Sequence, residues 1–324
     1  MRNRSKIRNR EIGVEVVNDT PISPRQGIRM ERLNARYGQI LLYLLPALLF
    51  YSALLVYPVI KSFYLSVFKW NGFAGSAMIF VGFDNFMHIF EDAVFWKSLK
   101  NVMTIMAGSI LIQIPAGLFL ALLLNGKWRG IRVVKAAFFM PVIMSATSIA
   151  LLWKFILYPG DGLLDGLLTR LGMGNLTQAW LADPDIALFT VILICCWQGI
   201  GVVMIIFLSG LVAIPDAIKE AARIDGANRG QLLWYVTLPL IKEVMAINII
   251  LLVIGTLKIF DNIYVLTNGG PLNATEVLGT YLYSEAFSNN RFGMASATAV
   301  VMFVIGFALT LIANRAMRRE AYEG

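Results

Sequence analysis

Residues 220–239 read EAARIDGANRGQLLWYVTLP, a polar stretch held between two long apolar runs, 186–211 and 244–266. Each run is long enough to cross a bilayer as a helix, which takes about 20 apolar residues. A segment carrying Glu220, Arg223, Asp225 and Arg229 is too polar for lipid and must stand in water. It nevertheless has the composition of built structure. Ile214-Pro215-Asp216 opens a helix well, because proline suits the first turn and an acid suits the positive end of the helix dipole. The pattern predicts one short helix over 216–224, a reversal at Gly226, and a second helix over 228–238 closed by Pro239. Ala221, Ala222 and Ala227 offer small surfaces for close approach, and Glu220 and Asp225 add directed charge at the tip. The stretch reads as a docking element.

Working outward, the chain is 58% hydrophobic and 15% charged, against about half and a quarter in soluble domains. The excess is clustered in six runs, over 39–60, 101–124, 136–158, 186–211, 244–266 and 292–313. The rest of the chain has too little polar sequence to cover six buried helices of that length. The expected fold class is therefore all-α, a polytopic membrane protein with six transmembrane helices.

The net charge of +8 is no nucleic-acid signature once its placement is read. Of the 28 Lys and Arg, twenty fall in the N-terminal tail, the second-to-third loop, the 220s loop and the C-terminal tail, and six in the alternate loops. The positive-inside rule then places both termini in the cytoplasm. The expected organisation is a basic cytoplasmic tail at 1–38, a membrane domain at 39–316 with the polar hairpin at 213–243, and a short cytoplasmic tail at 317–324. The N-terminal tail lacks the short apolar core and small-residue cleavage site of a secretory signal. Its part over 28–37 could lie on the inner leaflet as a basic helix, or serve only to set topology.

Between the runs, residues 61–100 read as a long external loop in which Phe83, Phe86, Ile89 and Phe90 recur at helical spacing. This predicts a short amphipathic helix on the membrane surface. The loop over 159–185 is acidic, and Thr267-Asn268-Gly269-Gly270-Pro271 is a turn signal. Pro46, Pro58, Pro115 and Pro141 fall in apolar runs, where neighbours can re-satisfy the freed carbonyls. Cys195 and Cys196 are adjacent in the fourth run and read as small hydrophobes, and the lone His88 reads as structural.

No G-x-x-x-x-G-K-[ST] phosphate loop occurs; Gly126-Lys127 is followed by Trp128. No zinc spacing and no nucleophile with a nearby base are present. Energy for uphill movement must come from another chain or an ion gradient. Ion-coupled carriers place carboxylates in mid-membrane, but Asp261, Lys154 and Lys258 all fall near the outer ends of their runs, where lysines can snorkel. A stand-alone secondary carrier for a small polar solute, and an integral-membrane enzyme, are the competing classes.

Glu220-Ala221-Ala222, Asp225-Gly226-Ala227 and Pro239 of Leu238-Pro239-Leu240 resemble the EAA loop of ABC-importer permeases. Val81-Gly82-Phe83-Asp84-Asn85-Phe86 with Phe95-Trp96, and Leu266 through Pro271 with Tyr281 and Ala286-Phe287, resemble the carbohydrate-uptake branch, of the maltose and glycerol-phosphate permease type. The resemblance implies a type I importer permease fold in a bacterial inner membrane. It implies that Glu220, Ala221, Ala222, Asp225, Gly226, Ala227 and Pro239 couple to a separate ATPase dimer, which holds ATP and magnesium while this chain binds no cofactor. A second permease chain, usually a different one, and an extracytoplasmic solute-binding protein complete the implied assembly. Substrate contacts in that family come from the fourth and fifth spans, where this chain offers Trp197, Gln198, Gly199, Val202, Thr256, Asp261 and Asn262. An aromatic face with amides and hydroxyls suits a sugar. The family's well-studied sugar-contacting chain carries asparagines where this one has Thr256-Leu257-Lys258, so the sugar site belongs either to this chain or to its partner.

Overall fold

The computed structural model describes residues 42–126 and 128–317. The basic tail and the proposed helix over 28–37 lie outside the described residues, as does 318–324. Helix α1, Leu42–Leu65, contains the boundary between two units, the first ending at Val59 and the second beginning at Ile60. In the first unit every residue from 42 to 59 is exposed, a surface that suits lipid and not water. A wider π turn, Ser52–Val56, lies just before Pro58. A proline ring clashes with the carbonyl four residues back, and a locally widened helix relieves that clash.

The second unit follows α1 with a small antiparallel pair, β1 (Phe68–Lys69) and β2 (Ile79–Phe80), with Phe68 opposite Phe80. Then come α2 (Asp84–Glu91) and α3 (Ala93–Leu123). Next are α4 (Ile131–Ile143), α5 (Ala146–Ile156), α6 (Leu163–Arg170) and α7 (Ala187–Ala213). The polar hairpin is α8 (Asp216–Ile224) and α9 (Arg229–Leu240). It is followed by α10 (Lys242–Leu257), α11 (Asp261–Leu266), α12 (Leu278–Tyr283) and α13 (Phe292–Met317). Among the described residues, α1, α3, α7 and α13 are each long and apolar enough to cross a membrane. The bent pairs α4–α5 and α9–α10 bring the number to six.

The parallel pair α3 and α7, in contact at Gly108 with Ile192, Gln113 with Gly199 and Gly117 with Val203, forms the centre of the unit, and small residues let the two backbones approach. A Cβ on Gly117 of α3 would fall 2.6 Å from Val203 Cγ1, and one on Gly199 of α7 would fall 2.5 Å from Gln113 Oε1. Gly201 presses on the Phe138 carbonyl of α4. Glycine seams of this kind supply the close contact that membrane helices need, since lipid gives no hydrophobic drive for their association. One buried cluster, around Phe95, Ile105, Val191, Ile263 and Leu278, fills the end near Asp92, and another, around Leu124, Phe207, Leu211, Ile214 and Ile241, fills the end near the hairpin.

Several expected boundaries change. The third run is not one rod: α4 and α5 meet at 99°, across Met144 and Ser145 in extended conformation. Tertiary packing explains the break, because α4 lies against α7 while α5 lies against α11. The fifth run ends as a helix at Leu257, and α11 restarts at Asp261 after a break at Phe260 (φ −140°, ψ −60°). The external loop shortens to 66–92, since α1 continues to Leu65 and α3 begins at Ala93, with the Asp92 carboxylate accepting from Val94 N at 2.8 Å. Helix α2 exists as expected, but it buries Ile89 and Asn85 inside the protein instead of lying free on a membrane surface. The acidic loop over 159–185 contains α6, whose Asp165 is buried and accepts from Trp180 Nε1 at 2.9 Å and Gly160 N at 3.0 Å.

The loop after α11 is clamped to the start of α3. Asn101 Nδ2 donates to the carbonyls of Ala274 (3.1 Å) and Glu276 (2.9 Å), and the Tyr281 hydroxyl donates to Asp92 Oδ2 at 2.8 Å. Burial, and then the Asp92 carboxylate, push the Tyr281 phenol above its usual range. Burial likewise raises the Glu276 carboxyl, which sits where Gly269 (φ +81°) leaves no room for a side chain.

The glycine seam makes a direct prediction. Gly117→Leu must force α3 from α7, and overpacking of this kind costs about 1–3 kcal/mol. The detergent-solubilised protein should then melt several degrees lower in a size-exclusion thermostability assay. Gly255, with open space around it, is the control: Gly255→Ala should leave the melting point unchanged or raise it.

Candidate functional site

The hairpin is built by local chemistry at each joint. Helix α8 starts after Pro215, with Lys219 Nζ 3.2 Å from Asp216 Oδ1 on its exposed first turn. It ends in a full Schellman closure: Gly226 N donates to Arg223 O (3.1 Å) and Ala227 N to Ala222 O (3.0 Å). Gly226 sits at φ +86° with open space where a Cβ would stand, so the reversal is a backbone requirement and not a packing one. Helix α9 opens with a reciprocal capping box, Asn228 N to Gln231 Oε1 and Gln231 N to Asn228 Oδ1, both 2.9 Å. That signal was readable as Asn-x-x-Gln and was missed.

Pro239 does not close the second helix. It lies inside α9, behind a π turn at Leu232–Thr237, and the chain bends by 63° at the buried Ile241 before α10. The widened turn absorbs the proline clash, as it does before Pro58. Glu220, Ala221, Asp225 and Gly226 are exposed, and Ala222 and Ala227 are half-buried where they close the turn. Beside them Ile224 (85% exposed), Trp234 (68%) and Tyr235 (79%) also face out. Large exposed apolar groups interleaved with charge mark an interaction surface, for protein or for membrane. These apolar residues complete the charged set that sequence reading selected.

The residues expected along a substrate path are partly brought together. Asn262 Nδ2, on α11, donates to Gln198 Oε1 of α7 at 2.9 Å. Trp197 meets Trp153 of α5 edge to face at 5.5 Å. Gly199 backs onto Gln113, Val202 is half-buried, Thr256 is buried near the end of α10, and Asp261 is exposed at the start of α11. Trp153 and Gln113 were not foreseen. Each sits alone in an apolar run, and only the fold sets them beside α7. Among the described residues, Gln113 Oε1, Trp153 Nε1 and Asn262 Oδ1 are buried without a hydrogen-bond partner. Unmet polar atoms cost about 1–3 kcal/mol each, so this is the stretch of the bundle best suited to take hydroxyl groups or water.

The Gln198–Asn262 bond ties α7 to the restarted fifth span. Asn262→Leu should weaken transport at least fivefold, with Gln198→Leu close behind and the double variant no worse than the poorer single one. A double-mutant cycle on uptake rate measures that coupling, and simple additivity of the two losses would show that the pair does not act as a unit.

Residues 113–321 match the family described as "Binding-protein-dependent transport system inner membrane component". The chain is 39% identical over 276 residues to the probable ABC transporter permease protein YurN of Bacillus subtilis, covering 84% of this chain and 93% of that one. It is 32% identical to the multiple sugar-binding transport system permease protein MsmF of Streptococcus mutans, covering 81% and 89%. Its fold matches a chain of a bacterial ABC transporter involved in import of the acidic polysaccharide alginate, at 25% identity and a TM-score of 0.78, over 90% of this chain and 99% of that one. The candidate membrane crossings among the described residues, the exposed hairpin and these likenesses agree, and the chain belongs to the binding-protein-dependent transport system inner membrane component family, as a multi-pass, non-enzymatic permease subunit of an ABC transporter.

Proposed function

We propose that this chain forms half of the translocation path of a carbohydrate importer, with a di- or oligosaccharide as cargo. The observation that carries the reading is the α8–α9 hairpin: exposed charge and large exposed apolar groups on a tightly closed turn, in a chain with no phosphate loop of its own. The hairpin seats in a separate ATPase dimer, which supplies ATP and magnesium, and both chain termini lie on the same, cytoplasmic side as the hairpin. A solute-binding protein delivers cargo at the opposite face, in keeping with the family's description. The sugar assignment draws on the alginate transporter and on the sugar permease from Streptococcus mutans, and on the paired tryptophans and amides between α5, α7 and α11.

A second permease chain completes the path. Met144 and Ser145 are exposed and extended in mid-run, and lipid cannot satisfy their backbone. Irregular backbone at membrane depth is tolerated where protein covers it or water fills a path beside it. A stand-alone ion-coupled carrier has no use for the hairpin and needs mid-membrane carboxylates, whereas in this chain's apolar runs the one carboxylate, Asp261, falls near the outer end.

The test is reconstitution with the ATPase, the second permease and the binding protein. Glu220→Ala and Gly226→Pro should each cut sugar uptake at least about 100-fold and abolish the stimulation of ATP hydrolysis by the loaded binding protein. The amount of inserted protein should not change, since both residues lie outside the bundle core. Gly226→Ala, strained by about 1 kcal/mol in the left-handed region, should fall between. Wild-type rates in either of the first two variants would remove the coupling assignment.

A further inference from the structure

Six aromatic rings form an unbroken line at the Asp92 end of the unit. Phe260 and Tyr264 stack at 5.1 Å with an interplanar angle of 21°. Tyr283 touches both, at 5.3 Å from Phe260 and 5.1 Å from Tyr264. Phe287 follows at 4.9 Å, Phe292 at 5.5 Å and Trp70 at 5.7 Å. None of the six is buried, and Phe287 is 60% exposed. Rings recruited for a core are buried; here Tyr264 and Phe287 are exposed and the other four are half-buried.

Both ends of the line are polar. At one end Phe260 directly precedes Asp261 and Asn262, the latter bonded to Gln198 and holding an unmet amide oxygen. At the other end Trp70 walls a cavity of about 680 Å³, shared with Asp84, His88, Glu91 and Arg291. That volume lies in the range of small-molecule sites, about 300–1,000 Å³. Asp84, His88 and Glu91 lie three and four residues apart on α2, one turn above another, so a single face of the helix presents all three. Groups of both charge signs line the cavity, so it selects for no simple ion. Carboxylates and a guanidinium match pairs of neighbouring hydroxyls, and an aromatic face matches the C–H face of a pyranose. A lipid chain would favour an apolar groove without this acidic end.

We propose that the six rings are a stacking track for an oligosaccharide, with the Trp70 cavity as an outer subsite that holds the trailing sugar units while leading units reach Asn262. The inference rests on the carbohydrate reading above and adds to it a second, outer site and a preference for longer chains. Neighbouring ring centroids lie 4.9–5.7 Å apart, comparable to the length of one pyranose unit, while the ring planes turn by 21–76° from one to the next, so successive sugars meet the rings at changing tilt.

The test uses the full complex in proteoliposomes with saturating binding protein. Maltose and maltotetraose form one pair of probes, and an alginate disaccharide and tetrasaccharide the other. Phe287→Leu and Tyr264→Leu should lower the tetrasaccharide-to-disaccharide uptake ratio about tenfold, the size of one lost stacking contact. Glu91→Gln should move the ratio in the same direction, and Phe287→Trp should keep it at the wild-type value. An unchanged ratio in both leucine variants overturns the track. So does a loss of inserted or thermally stable protein with the ratio intact, which would make the rings interfacial anchors. Failure of the wild-type complex to take up any of the four probes, with its binding-protein-stimulated ATPase intact, overturns the carbohydrate reading and the track with it.

Discussion

A chain in hydrocarbon must satisfy every backbone N–H and C=O from within, and the rest of this structure follows from that constraint. It forces the apolar runs into helices and restricts where a helix may break. The breaks at Met144–Ser145 and at Lys258–Phe260 are therefore informative, since unpaired backbone there needs protein or water beside it. Both adjoin the elements that carry the candidate path: α5 with Trp153 follows the first, and α11 with Asn262 follows the second. The long helices α3 and α7 are unbroken by comparison and act as the frame, drawn together along Gly108, Gly117 and Gly199.

At the hairpin the solvent is different and so is the logic. Capping there is local: a Schellman closure at Gly226, a capping box at Asn228, and an ion pair on the first turn. Such motifs form without tertiary support, which leaves Ile224, Trp234 and Tyr235 exposed, while the end of α9 packs on the bundle through Thr237 and Leu238. The bend at the fully buried Ile241 joins α9 to α10, and in the coupling proposed above it is the joint through which a push on the hairpin would reach α10. From α10 the chain passes Phe260 to α11, so one continuous stretch links the hairpin to the Asn262–Gln198 bond.

Legibility in the sequence tracked the range of the interactions involved. Glu220, Ala221, Ala222, Asp225, Gly226 and Ala227 stood out because the helix end and turn they build rest on neighbours a few residues away. Pro239 was read as a stop, but the π turn before it relieves the ring's clash with the backbone carbonyl four residues back, and the chain is held there by burial of Thr237 and Ile241. His88, read as structural, proved exposed on the wall of a polar cavity whose other walls come from β1 and from the start of α13. Gly199, chosen for a path, spends its missing side chain on Gln113, a residue 86 positions earlier.

What the sequence determined by itself was the number of crossings, the polar segment between the fourth and fifth, and the turn chemistry of that segment. Hydropathy and capping act within one helix or one loop, so a linear reading captures them. Only the tertiary structure decided that the third run folds at 99°, that Trp153 meets Trp197, that Asn262 meets Gln198, and that rings from four separate segments line up from Phe260 to Trp70. Those contacts join residues tens to hundreds of positions apart, and their geometry comes from how glycine-lined helices settle against one another, which no window along the chain contains.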